Sequence, residues 1–479
     1  MDEQGSVDVN KLIYDIRRIL NNKIARSLIK MVGNPRRLSK ILAIYAEVEE
    51  PEGMREKTIS HAVGLLLSKS ADRFGFDESL LKERLKDPYM RRGIANILLG
   101  IAHYGITRPQ RLYSPFMVVW DFTKRCNLSC LHCYANASPL PPPDELGLEE
   151  RLEVLRQMDE AGVAAVSFSG GEPLMVPDFW VVAKRAADAG MYVSVATNAT
   201  LIKPEVARRL KEIGVRYVEV SLDSPNPESH DSFRGVKGAW ERSVEGAKNA
   251  KEAGMDVGIA MTVTKKNYKE VADMLKLAKE LNADRFIAFN FIPTGRGREI
   301  LEYDLSPRER MEVLELLYSE LSNGFQAFST SPVYAVVSLK HADKGGKLTP
   351  THFAELAIPE EYMSAGFALA EFLGGCGAGR IYCSVEHNGD MQPCVFMPVV
   401  LGNVLRDGFL NIWQNNELLN KLRDRDRVDY ACLTCGYKYI CGGCRARALA
   451  YYGDPLGPDP SCEFNSDLWE ELEASVVGR

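Results

Sequence analysis

Between residue 116 and about residue 320 the chain repeats one pattern six times: a short β-branched run, then a charged segment of helical period. The runs are "FMVVW" (116–120), "VAAVSF" (163–168), "MYVSVAT" (191–197), "VRYVEVSL" (215–222), "DVGIAMTV" (256–263) and "RFIAFNFI" (285–292). Strands joined by helical crossovers lie parallel, so the pattern predicts an α/β fold with helices covering a parallel sheet, either open or curled into a partial barrel. In such folds ligands gather at the C-terminal ends of the strands. The chain's conspicuous polar motifs fall there. Ser169-Gly170-Gly171-Glu172-Pro173 follows the second run, Thr197-Asn198 the third, and Ser221-Leu222-Asp223-Ser224 the fourth.

The loop after the first run, "DFTKRCNLSCLHCYANA", carries Cys126, Cys130 and Cys133 in a C-x3-C-x2-C spacing. Zinc sites and iron–sulfur clusters normally take four ligands. Three thiolates with no fourth cysteine nearby leave one iron of a cluster open, and an open iron argues for an enzyme. A non-catalytic electron carrier or metal store, the alternative class, would fill that position with a fourth cysteine. The chain begins "MDEQGSVDVN", acidic and unlike an export signal, so its eleven cysteines point to metal or redox chemistry in a reducing cytoplasm rather than to disulfides. None precedes Cys126, none lies between Cys133 and Cys376, and eight crowd into residues 376–462.

With the three-cysteine loop, the aromatic Tyr134 after its last cysteine and the Gly-Gly-Glu-Pro motif, the chain resembles the radical S-adenosylmethionine (SAM) enzymes. Alone, Gly-Gly-Glu-Pro reads equally well as a strand-to-helix turn with a capping carboxylate; its place one βα unit after the cysteine loop favours the resemblance. The resemblance implies a partial (β/α)6 barrel holding a 4Fe–4S cluster. SAM chelates the open iron, and its reductive cleavage yields a 5′-deoxyadenosyl radical that takes hydrogen from an unactivated C–H bond. The protein then mainly binds, orients and excludes side reactions. It further implies that Gly170, Gly171, Glu172 and Pro173 form the edge for the methionine ammonium, with Glu172 its acceptor. Ser221 and Asp223 would hold the ribose or methionyl part, and Arg234 would grip the SAM carboxylate with two bonds. Asn198 would reach the same region, and the backbone beside Tyr134 would meet the adenine.

The C-terminal spacings are C376-x6-C383-x10-C394 and C432-x2-C435-x5-C441-x2-C444-x17-C462. With "GDMQPC" (389–394) and "GNVLRDGFLNIW" (402–413), they resemble the SPASM extension of this superfamily, which carries two auxiliary 4Fe–4S clusters. That likeness assigns Cys376, Cys383, Cys394 and Cys444 to the nearer auxiliary cluster, and Cys432, Cys435, Cys441 and Cys462 to the farther one. Three, four and four account for all eleven cysteines, so both auxiliary clusters would be fully ligated and suited to electron transfer. A structural zinc ribbon on Cys432–Cys444 is the competing reading of the paired C-x2-C knuckles. The resemblance also implies an external electron donor of the ferredoxin or flavodoxin type.

The remaining segments are less specific. Residues 1–113 read as helices, with Val9, Leu12, Ile13, Ile16, Ile19, Leu20, Ile24 and Leu28 at helical spacing, a break at Asn34-Pro35, and a further stretch through Ile94, Ile97, Leu98 and Ile101. Residues 1–45 hold nine Lys and Arg against four Asp and Glu, a basic face that suits either a solvated helical cap or peripheral contact with an anionic membrane. A net charge of −6 argues against nucleic acid, and no apolar run is long enough to span a bilayer. The expected division is a helical extension over 1–113, the radical SAM core over 114–322, a linker over 323–372 with a hinge near Lys344 to Thr349, and the cluster module over 373–479. The end "CGGCRARALAYYGDPLGPDPSC" resembles superfamily members acting on tetrapyrrole side chains. A peptide or protein substrate, or a membrane isoprenoid lipid reached through the basic helices, are the alternatives.

Overall fold

The computed structural model describes residues 22–72, 77–342, 346–351, 354–358, 369–428 and 431–477. The six runs form the parallel strands β1 (Met117–Thr123), β2 (Ala165–Gly170), β3 (Tyr192–Thr197), β4 (Val215–Ser221), β5 (Asp256–Val263) and β6 (Arg285–Asn290), each adjacent to the next. Alternate residues of every strand point to opposite faces. Val118, Val166, Val193, Val218, Ile259 and Phe286 face the covering helices and are fully buried in one core with Trp120, Phe122, Phe168 and Phe179. These four rings meet mostly edge to face, with centroids 5.3 to 6.3 Å apart.

A parallel sheet of six strands leaves two unpaired edges, and their N–H and C=O groups need partners. Both come from outside the six repeats. β7 (Gln326–Ser329), from the expected linker, pairs in parallel with β6; β10 (Tyr382–Val385), from the cysteine-rich end, pairs in parallel with β1. β11 (Asp390–Gln392) and β12 (Gly402–Asn403) extend that edge antiparallel, completing a ten-stranded order β12-β11-β10-β1-β2-β3-β4-β5-β6-β7. The expected hinge differs too. Residues from Gly346 form β8 (Gly346–Thr351), paired with β9 (Ala354–Ile358), while Lys344 and Gly345 lie outside the described residues.

Ahead of the sheet stand helices Lys23–Val32, Pro35–Tyr45, Met54–Asp72, Glu78–Leu85 and Pro88–Tyr104. The first part of the helical pattern, through Leu20, lies outside the described residues. Asn34 caps the second helix, its side chain accepting from Arg37 N, with Pro35 at the first position, and Gly105 ends the last. Ile29, Leu38, Leu42, Val63, Leu85, Ala95, Leu98 and Leu99 give these helices a core of their own. Pro88–Tyr104 closes the barrel end opposite the cysteine loop. Tyr89 packs on Phe116 and Tyr192, and buried Arg92 donates to Asp159 Oδ1 (2.7 Å), Val163 O (2.7 Å) and Ala189 O (3.0 Å). Several N-terminal cations are used internally: Arg26 donates to Ala102 O, Arg36 pairs with Asp159, and Lys40 pairs with Glu52 and Glu56. Among the described residues no helix is long and apolar enough to cross a membrane.

Candidate cluster and cofactor site

A cavity of about 650 Å³ runs through the barrel. Its mouth is lined by Cys126, Cys130, Cys133, Tyr134, Gly170, Gly171, Asn198, Ser221 and Arg234, so residues that follow four successive strands converge there. Three cysteines of the C-terminal module, Cys376, Cys394 and Cys444, line the same cavity.

The cysteine loop is clamped from several sides. Cys126 N donates to Ser138 O at 2.8 Å, and Ser129 N to Arg234 O at 3.1 Å. Leu128 N and Ala137 N donate to the sulfurs of Cys126 and Cys133, both at 3.4 Å. The same N–H to sulfur contact recurs at Cys394, Cys435 and Cys441, from Phe396, Tyr437 and Gly443. Donors aimed at sulfur favour the thiolate. In the protein alone burial wins: it pushes the thiols of Cys126, Cys394 and Cys462 up to about 12. Bound iron is what would hold them as thiolates.

Arg234 sits fully inside. Its Nε donates to Asp223 Oδ2 (2.6 Å) and its Nη1 approaches Cys130 Sγ (3.7 Å). Asp223 does not line the cavity; besides Arg234 it accepts from Thr262 N at 2.8 Å. Burial pushes the Asp223 carboxyl up, but the Arg234 guanidinium, with His132 and His230, holds it below the usual carboxylate range. Asp223 therefore anchors Arg234 beneath the cluster loop rather than facing a ribose.

Glu172 also has other partners than the expected ammonium. Its buried carboxylate accepts from Thr197 Oγ1 (2.8 Å), Asn198 N (2.9 Å) and Leu174 N (3.2 Å), tying the end of β2 to the end of β3, and it does not line the cavity. Burial nonetheless raises the group to about 7. The exposed edge is the glycine pair. Gly170 has φ +102°, and a Cβ on Gly171 would lie 2.2 Å from Arg125 O. Only glycine lets this turn lie so close to the cysteine loop. Pro173 opens the short turn that follows. Asn198 Nδ2 donates to Asn127 Oδ1 at 2.8 Å and lies 4.0 Å from Cys126 Sγ. The Tyr134 hydroxyl donates to Asp121 Oδ1 (2.8 Å) and shares a hydrogen bond with Ser169 Oγ (2.9 Å), while its ring packs on Phe396.

Arg296 was not singled out by the sequence pattern. Its Nε donates to Cys130 O (2.9 Å), its Nη1 to Ala137 O (2.7 Å) and its backbone N to Cys133 O (3.0 Å). Its Nη2 is buried without a hydrogen-bond partner. The available signal was position: "TGR" (294–296) follows the sixth strand, at the barrel's ligand-bearing end.

The auxiliary cysteines fall into two electrostatic groups. Cys444, Cys394 and Cys376 act on one another, and so do Cys441, Cys462, Cys432 and Cys435. Cys383 joins neither; it is fully buried in the core. No three His, Cys, Asp or Glu side chains among the described residues converge as ligands of a single ion. A cubane is gripped at separate corners, so its thiolates stand farther apart than those of one zinc. Arg380 and Arg425 lie beside Cys376, fully buried, and donate to its carbonyl. Among the described residues no carboxylate pairs with either one, and burial, then Arg425, lowers Arg380 to about 9. Buried cations of this kind fit an anionic cluster nearby.

Fold and site together define an α/β protein built on a partial barrel, with a cysteine triad and a glycine edge at the mouth of its cavity. The profile of the radical SAM superfamily matches residues 120–278, and that of an iron–sulfur cluster-binding domain, SPASM, matches residues 376–436. The chain is 35% identical over 353 residues to the AdoMet-dependent heme synthase of Methanosarcina barkeri, covering 73% of this chain and 97% of that protein. It is 33% identical over 359 residues to the mycofactocin maturase MftC of Mycolicibacterium smegmatis, covering 73% and 83%. The fold is similar to that of Streptococcus suis SuiB bound to S-adenosylmethionine, with a TM-score of 0.61 at 18% identity, covering 88% of this chain and 93% of that one. The chain belongs to the radical SAM superfamily, in the group with a C-terminal SPASM domain.

Proposed function

We propose that the chain binds SAM at a 4Fe–4S cluster on Cys126, Cys130 and Cys133 and directs the resulting radical to a C–H bond on a tetrapyrrole side chain. The observation that carries this is the single cavity shared by that cysteine triad, the Gly170–Gly171 edge and a second cysteine triad. The cluster, when reduced, supplies the electron that cleaves SAM. The chain's own residues do the rest. Arg234 and Arg296 fix the cysteine loop, Gly170 and Gly171 offer backbone to the methionine end, and Pro88–Tyr104 closes the far end of the barrel. The C-terminal cysteines would hold auxiliary clusters for electron transfer, fed by an external ferredoxin- or flavodoxin-type donor.

Several features favour a tetrapyrrole. Relatives at 30% to 35% identity are named for heme synthesis, Fe-coproporphyrin III synthesis and pre-heme d1 synthesis. The cavity also offers the guanidiniums of Arg285, Arg296 and Arg380 to carboxylate side chains. The similarity to MftC supports a peptide as the second reading. Against it, the described N-terminal elements are all helices, with no small strand-and-helix module for a leader peptide.

The test is anaerobic reconstitution, reduction with dithionite, and incubation with SAM and an iron coproporphyrin. Substrate-dependent 5′-deoxyadenosine together with a mass loss in the porphyrin is expected. SAM cleavage that ignores the porphyrin would remove the tetrapyrrole reading, and no cleavage under any condition would favour a mere electron carrier. Cys126→Ala should abolish cleavage while auxiliary-cluster signals persist.

A further inference from the structure

The four cysteines that the C-terminal spacing assigns to the nearer auxiliary cluster do not meet on one face of the sheet. β10 pairs with β1 so that Tyr382 lies opposite Met117 and Cys383 opposite Val118, and β1 pairs with β2 so that Val118 lies opposite Val166. Residues in register across a parallel sheet share a face. Met117, Val119, Ser167 and Tyr382 line the cavity, whereas Val118, Val166 and Cys383 are fully buried under the helices. Cys383 thus occupies the position where neighbouring strands carry valine. Moving its sulfur to the cavity side would require slipping β10 by one residue, which would also bury the Tyr382 hydroxyl that donates to Cys394 Sγ at 2.9 Å. Cys376, Cys394 and Cys444 face the cavity without it.

We propose that Cys383 is a core residue, and that the cluster on Cys376, Cys394 and Cys444 keeps one iron open to the cavity for an anionic oxygen donor of the substrate, such as a carboxylate. This rests on the reading that these cysteines hold an iron–sulfur cluster. Arg380 supplies the charge that selects an anion: it lines the cavity beside Cys376, and its buried guanidinium donates to the carbonyls of Gly375 and Cys376. The auxiliary cluster would then position the substrate as well as accept its electron, and two open irons would face each other across one cavity.

The test uses the full-length Cys126→Ala/Cys130→Ala/Cys133→Ala protein, reconstituted anaerobically so that only auxiliary clusters form. Adding Cys383→Val should leave its iron and sulfide content unchanged, while adding Cys394→Ala should remove about half of the iron. Isotopically labelled cyanide, a small anionic probe, should give a hyperfine coupling in the reduced parent. Iron loss in Cys383→Val matching that of Cys394→Ala would overturn the proposal. So would the absence of any cyanide coupling, a measurement that does not depend on how the Cys383 variant folds. Metal analysis of the parent separates the two levels: a parent that binds no iron overturns the cluster reading itself, and this proposal with it.

Discussion

At Gly171 one hydrogen atom decides whether the end of β2 can lie against the cysteine loop. A methyl group there would fall 2.2 Å from the Arg125 carbonyl, and one on Gly170 would fall 2.5 Å from that of Thr123. Gly171→Ala should therefore cost about 1–3 kcal/mol of overpacking strain. Because it shifts the edge against the cluster loop, it should also lower 5′-deoxyadenosine formation about a hundredfold, measured by single-turnover chromatography. Glu172 makes a pH-dependent prediction. Burial raises its carboxyl from 4.5 to about 7, so the folded chain binds a proton that the unfolded chain has released. Its contribution is complete below pH 4.5 and is lost as pH rises to about 7. Relative to Glu172→Gln, the metal-free protein should lose up to about 3 kcal/mol across that window, read from denaturant melts. The glycines were legible as a motif. So was the Glu172 cap on Leu174 N, but its partners Thr197 and Asn198 were not, because they come from the end of a different strand.

At the scale of elements, the barrel strands were visible because β-branched alternation and helical period need no tertiary information. The two flanking strands were hidden by brevity: β7 and β10 have four residues each and lie in segments of mixed pattern. What makes them strands is a neighbour with unpaired backbone, a long-range fact. The N-terminal helices depend likewise on docking. Arg92 replaces water with one carboxylate and three carbonyls at the barrel's closed end. Arg92→Ala leaves those carbonyls unmatched and Asp159 with Arg36 as its remaining partner, and should cost about 1–3 kcal/mol of docking energy. The readout is faster amide exchange across Pro88–Tyr104 with little change in β3 and β4.

For the whole molecule, the cysteines couple assembly to metal. Eleven thiols stand free of disulfides, and several are buried beside guanidiniums that the protein alone leaves uncompensated. Cluster binding should therefore stabilise the C-terminal module in particular. Reconstituted protein should melt well above the metal-free chain, and chelation under reducing conditions should return it to the lower value, followed by calorimetry. The pairing of β10 with β1 brings Cys376, Cys394 and Cys444 to the wall of the cavity that the first triad lines.

Pattern and spacing alone sufficed for the strand–helix alternation, the placement of the motifs at one barrel end, and the division of the cysteines into a loop triad and a C-terminal set. These are local properties, written in periods of 2 and 3.6 residues and in short intervals along the chain. Which face Cys383 takes, what Glu172 and Asp223 hold, and how Arg296 reaches the cluster loop were decided only by register and packing. A spacing records distance along the chain, whereas ligation depends on which side of a sheet a side chain leaves.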